Sequence, residues 1–183
     1  MTDRTNTELP AVPIPSSYWV IANRLLAGEY AGAPTQAETR AKLGAFLDAG
    51  IDVFIDLTEE DVEGLRPYAA DLLALAQDAG RRVAHHRMPI PDVSVPARRT
   101  MTNILDVIDR ALTEGKRVYV HCWGGIGRTG TVVGCYLARH GLASRQELLP
   151  VIESLREKTP DAARSSPETG QQRAMVLSWR LGE

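Results

Sequence analysis

Apolar and polar positions along the chain follow two different periods. Apolar runs at 18–21, 25–28, 51–57 and 116–121 and a more polar strand pattern at 82–87 predict strands, the first two joined by a turn at Asn23. Longer stretches at 34–49, 67–79 and 96–114 carry apolar residues every three or four positions and predict helices. All three open at a proline and close before a glycine, Gly50, Gly80 or Gly115. In the longest, Met101, Ile104, Leu105, Ile108 and Leu112 share one face.

A fourth helical pattern runs to His140, with Gly141 beyond it. Ser144 and Glu147 then form a capping-box pattern, and Pro150 is expected to kink or split the helix it announces. The last helix is expected from Ser166 or Pro167 to Leu181. Strands alternating with helices predict an α/β fold, a central, mostly parallel twisted sheet flanked by helices. Residues 1–14, with Pro10 and Pro13, read as a flexible tail, and 15–183 as one domain.

Composition narrows the classes. A chain of 183 residues with 44% hydrophobic content suits one core. A net charge of −2 with both signs interspersed argues against nucleic acid and membrane surfaces as partners. The N-terminus lacks the apolar core of a signal peptide, so a cytoplasmic location is expected. Two cysteines without metal-ligand spacing fit a reducing compartment. Cys135, among Val132, Val133, Tyr136 and Leu137, reads as core, too far along its helix to bridge Cys122. His85 and His86 are adjacent on a strand, so one is expected buried and one exposed rather than both on a metal.

The chemistry concentrates where the strand 116–121 ends. His121 and Cys122 are followed by Trp123-Gly124-Gly125-Ile126-Gly127, then Arg128-Thr129 and the helix. Glycines let backbone N–H groups turn inward, and a helix start carries partial positive charge, so the loop suits an anion. Arg128 can clamp two phosphoryl oxygens through its planar fork. The same field favours Cys122 as thiolate, a nucleophile beside the bound phosphate. Thr129 can hydrogen-bond that sulfur.

Gly125-Ile-Gly127-Arg-Thr-Gly130 also fits the dinucleotide pattern G-x-G-x-x-G. That reading needs further βα units, and from Ala143 onward the chain carries helical patterns alone. A phosphate ester also needs a proton donor for its leaving oxygen. Asp92 supplies one, at the tip of the stiff connection Met88-Pro-Ile-Pro-Asp92-Val-Ser-Val-Pro96. Thr58 to Glu63 is an acidic run that reads as a solvated loop.

Together these residues resemble the cysteine-dependent protein tyrosine phosphatase superfamily, in its dual-specificity branch. The likeness to the cyclin-dependent-kinase-associated type extends to 50–60 and 85–90 and covers roughly residues 18–182. The resemblance implies a tyrosine-phosphatase-like fold and metal- and cofactor-free hydrolysis through a cysteinyl-phosphate. Cys122 would be the nucleophile, Asp92 the acid and then the base, and Arg128 with the amides of Trp123, Gly124, Gly125, Ile126 and Gly127 the phosphate cradle. His121 would orient the loop. Gln172, with Gln171 as the neighbouring choice, would position water, although Glu168 stands where many members carry a first glutamine. The implied partner is a phosphorylated protein or peptide. The loop interior has no lysine, which favours singly phosphorylated side chains, phosphotyrosine and then phosphoserine or phosphothreonine, over inositol phosphates. A binding module that has lost catalysis is a remote alternative, since Cys122, Arg128 and Asp92 are all present.

Overall fold

The computed structural model describes residues 10–60 and 62–183. Strands β1 (Ser17–Ile21), β2 (Leu25–Gly28), β3 (Val53–Asp56), β4 (Ala84–Arg87) and β5 (Val118–His121) form one sheet in the order β1-β2-β5-β3-β4. β1 runs antiparallel to β2, and the other pairs are parallel. Helices α1 (Gln36–Asp48), α2 (Ala69–Asp78), α3 (Arg98–Thr113), α4 (Gly127–Arg139), α5 (Leu148–Leu155) and α6 (Gly170–Ser178) complete the fold. None of the described helices is long and apolar enough to cross a membrane.

Alternation along each strand sends side chains to both faces, and both are covered. Leu26, Phe54 and Tyr119 pack with Leu43, Phe46 and Leu47 of α1 and Leu72 of α2. Leu25, Ile55, Val118 and Val120 pack on the other face with Ile104, Leu105 and Ile108 of α3 and Val132 and Val133 of α4. The apolar stripe expected on α3 is fully buried at Met101, Ile104, Leu105 and Ile108. Helix α4 is enclosed by its neighbours α3, α5 and α6, which explains apolar or small residues on every side of it. Cys135 is buried there, and that burial pushes its thiol well above the usual range.

Three expectations need correction. Of the tail, residues 1–9 lie outside the described residues, and in 10–14 Ala11 and Val12 are exposed while the end of the segment is anchored. Ile14 is buried, and the Trp19 indole N–H donates to the Ala11 carbonyl at 3.2 Å. Pro150 does not kink α5. The Ser144–Glu147 box forms only in half, with the Ser144 N–H donating to Glu147 at 3.0 Å while the Glu147 N–H donates to the Ser144 backbone carbonyl, and α5 starts only at Leu148. Pro150 thus falls in the first turn, where no intrahelical N–H is needed. The final helix starts at Gly170, capped by Thr169 and Gln172 in a second capping box, and ends at Ser178.

Candidate active site

β5 delivers His121 and Cys122 to the C-terminal edge of the sheet, the usual ligand-bearing edge of a parallel α/β layer. The chain turns tightly through Trp123–Ile126 into α4. Gly125, at φ +70°, lies against β2, where an added Cβ would sit 2.5 Å from the Gly28 carbonyl carbon. No other residue type fits that turn. The Tyr30 N–H donates to the Trp123 carbonyl at 2.8 Å and ties the loop to the segment after β2.

Cys122 lies at the base of a cleft of about 360 Å³ that is also lined by Asp92, Arg128 and Gln172. Its Sγ accepts a hydrogen bond from the Thr129 hydroxyl at 3.1 Å. Arg128 is buried and reaches across to the acid loop, at 2.9 Å from Asp92 Oδ1 and 3.2 Å from the Ile90 carbonyl. Thiol, cation and carboxyl group therefore meet in one cleft, although Asp92 stands thirty residues before Cys122 in the chain.

His121 is fully buried beneath the loop. Its Nδ1 donates to the Cys122 carbonyl at 3.2 Å, which leaves Nε2 to accept from the Tyr68 hydroxyl at 2.6 Å. Burial drives the His121 pKa down to about 4, against the opposing pull of the Asp56 carboxylate. The neutral ring is the form these two bonds require. A histidine whose folded pKa lies below its unfolded value of 6.5 lends stability above pH 6.5 that is lost as pH falls through 4. At ~1.4 kcal/mol per pH unit, the loss is about 3 kcal/mol. The melting temperature is therefore expected to fall between pH 6.5 and 4, and a His121→Gln variant should show a flatter dependence over that window.

The acid loop is held from three directions. Besides Arg128, the Gln172 side-chain amide donates to the Ser94 carbonyl at 3.1 Å, and Glu59 Oε2 accepts from the Asp92 N–H at 3.3 Å. The acidic run 58–63 is thus not purely a solvated loop. Thr58 is buried on Asp56, Glu59 touches the acid loop, and Asp61 lies outside the described residues. Asp56 itself is buried between His85 and Arg87. Its burial pushes the carboxyl up, but the His85 ring 3.5 Å away and the hydrogen bonds from Thr58 outweigh that and hold it at about 2. His86 on the same strand is exposed, as adjacent strand positions require.

Of the two glutamines, Gln172 is buried and lines the cleft, while Gln171 is exposed and does not. Gln172 Oε1 accepts the N–H groups of Glu168 and Thr169 at 3.1 and 3.0 Å. Its amide thus anchors α6 and the acid loop together. Glu168 also lines the cleft and pairs with Arg164 at 2.8 Å. Tyr68 is a site residue the sequence did not single out, because its partner His121 lies 53 positions away, and so is Arg164, which lines the cleft while pairing locally with Glu168. Val93, exposed beside Asp92 at φ +50°, is another. Among the described residues no group of three His, Cys, Asp or Glu side chains is placed to hold a metal.

A thiol at the start of a helix, sharing one cleft with a buried guanidinium and a carboxyl group, is the arrangement of a cysteine-dependent phosphatase domain. Residues 29–142 match the family model described as "Polymorphic toxin system, DSP-PTPase phosphatase", and the chain belongs to that family. The mouse dual specificity protein phosphatase CDC14B is 43% identical over 56 residues, 31% of this chain and 11% of its own length. The rat cyclin-dependent kinase inhibitor 3 is 33% identical over 86 residues, 47% of this chain and 39% of its own. The chain thus spans less than half the length of these curated relatives. Among solved structures, Tk-PTP in its active form superimposes with a TM-score of 0.64 at 26% identity, covering 88% of this chain and 94% of that one. Kinase associated phosphatase shares the fold at a TM-score of 0.67 and 19% identity, covering 83% of each chain.

Proposed function

We propose that the protein hydrolyses phosphomonoesters of protein side chains, phosphotyrosine first and phosphoserine or phosphothreonine second, through a cysteinyl-phosphate on Cys122. The observation that carries this reading is the convergence of Cys122, Arg128 and Asp92 in one cleft, with Arg128 2.9 Å from the carboxylate. Arg128 and the loop amides from Trp123 to Gly127 hold the non-bridging oxygens, where the charge of the transition state is spread. The Cys122 thiolate attacks phosphorus while protonated Asp92 gives its proton to the departing oxygen. The P–O bond breaks as the S–P bond forms. In the second step Asp92 takes a proton from water, which attacks phosphorus and releases the thiolate. Thr129, bonded to Sγ, stabilises that leaving thiolate. The mechanism needs a free thiol, which suits a reducing compartment such as the cytoplasm.

The lysine-free interior of the loop supports substrates with one phosphate. Arg164, the cation that faces the cleft beside Arg128, is already paired with Glu168. Purified protein is expected to hydrolyse p-nitrophenyl phosphate without added metal and to be blocked by vanadate. A panel of phosphotyrosine, phosphothreonine and inositol phosphate substrates should rank in that order. Absence of turnover, or turnover that appears only with a divalent cation, would overturn the reading.

A further inference from the structure

A second cleft, of about 460 Å³, adjoins the catalytic one, and Trp123 lines both. The indole forms the ridge between them. It is 46% exposed, a high value for so large an apolar side chain, and its far edge reaches Gly64, where an added Cβ would lie 3.6 Å from the ring. The walls are the segments 29–34 and 64–66. They are tied to each other by the Tyr30 hydroxyl, which donates to the Arg66 carbonyl at 3.1 Å, and to the phosphate loop by the Tyr30 N–H. The cleft is therefore preformed and continuous with the catalytic site.

Its charged groups are already engaged with partners in or beside it. Lys42 donates to Glu29 and to the Tyr30 carbonyl, both at 2.6 Å. Arg66 pairs with Asp71 at 2.7 Å, and Glu38 caps α1 by accepting from Thr35. An occupant meets the apolar surfaces of Ala33, Pro34, Leu65 and Trp123. In an extended chain, side chains two positions apart point the same way and lie roughly 7 Å apart, enough to straddle one indole ring.

We propose that this cleft binds an apolar side chain of the substrate polypeptide two residues from the phosphoresidue, with Trp123 as the saddle between the two positions. The inference rests on the phosphatase reading of the catalytic cleft. It makes the preferred substrate an extended phosphopeptide rather than a small phosphomonoester. Burial of a leucine-sized side chain there is expected to raise kcat/KM by roughly tenfold or more, through KM.

The test compares phosphotyrosine peptides that carry leucine or serine two positions before and two positions after the phosphotyrosine, alongside p-nitrophenyl phosphate. The wild type should prefer leucine on one of the two sides by about tenfold. In an Ala33→Trp variant, which fills the cleft, that preference should fall to near unity while p-nitrophenyl phosphate turnover stays within about twofold. If Ala33→Trp does not fold, Leu65→Ala, which removes a wall, should weaken the preference. No leucine preference in the wild type, or an undiminished one in the folded variants, would overturn the second cleft and leave the phosphatase reading intact. Failure to hydrolyse p-nitrophenyl phosphate at all would overturn both.

Discussion

A Cys122→Ser variant is expected to lose turnover by roughly 10⁴-fold or more, the scale seen when a covalent nucleophile is removed from a site whose binding elements remain. A serine hydroxyl in the same place is not ionised at neutral pH, and among the described residues the cleft offers it no general base positioned as a histidine would be in a serine hydrolase. His121 faces away, its two ring nitrogens committed to the Cys122 carbonyl and Tyr68. Phosphate binding should survive, because Arg128 and the loop amides are untouched. The variant is thus expected to hold a phosphotyrosine peptide that it cannot cleave. Steady-state kinetics with p-nitrophenyl phosphate, paired with calorimetric titration of the peptide, checks both halves. Turnover close to wild type would mean that some other group attacks phosphorus.

The second large effect is at Asp92. Asn at this position keeps the shape of the loop and can still bond to Arg128, but it has no proton to give. A loss of roughly 10²–10⁴-fold in kcat with aryl phosphates is expected, the usual range for a positioned acid. The loss should shrink as the leaving phenol becomes more acidic, because a good leaving group needs less protonation. One limb of the pH profile should flatten. A variant with the wild-type profile and leaving-group dependence would move the acid role elsewhere. Glu59, which accepts from the Asp92 N–H, and Glu168, which lines the cleft, are then the carboxylates to consider.

Much of the architecture could be read from the chain because its signals are local. Four of the five strands were short, largely apolar runs, and three helices carried both a start and a stop within the sequence. The phosphate loop was legible for the same reason: Cys122, three of the loop glycines, Arg128 and Thr129 fall within eight consecutive positions. Asp92 was found through the stiffness of its proline-rich connection. What failed was positional. Pro150 reads as a helix breaker only if the helix starts at Ser144, and a start four residues later makes it harmless.

Other features depend on distant partners. Ile14 is buried with the cluster around Trp19 on the α1 and α2 face of the sheet, which no local pattern announces. Tyr68 meets His121 across 53 positions, and the second cleft is built from segments 29–34 and 64–66. The preference for Gln172 over Gln171 also had a local signal. Thr169 and Gln172 stand at the same spacing as Thr35 and Glu38, both capping boxes. That spacing turns Gln172 back toward the helix start and the acid loop, and leaves Gln171 on the outside.

The most direct test of the central claim is to trap the intermediate. Wild-type protein mixed briefly with an aryl phosphate, quenched in acid and digested, should yield a peptide containing Cys122 that carries one phosphoryl group by mass spectrometry. Cys135, buried in the core, should remain unmodified. A phosphoryl group on any other residue, or rapid turnover with no phosphorylated protein at any quench time, would contradict the account.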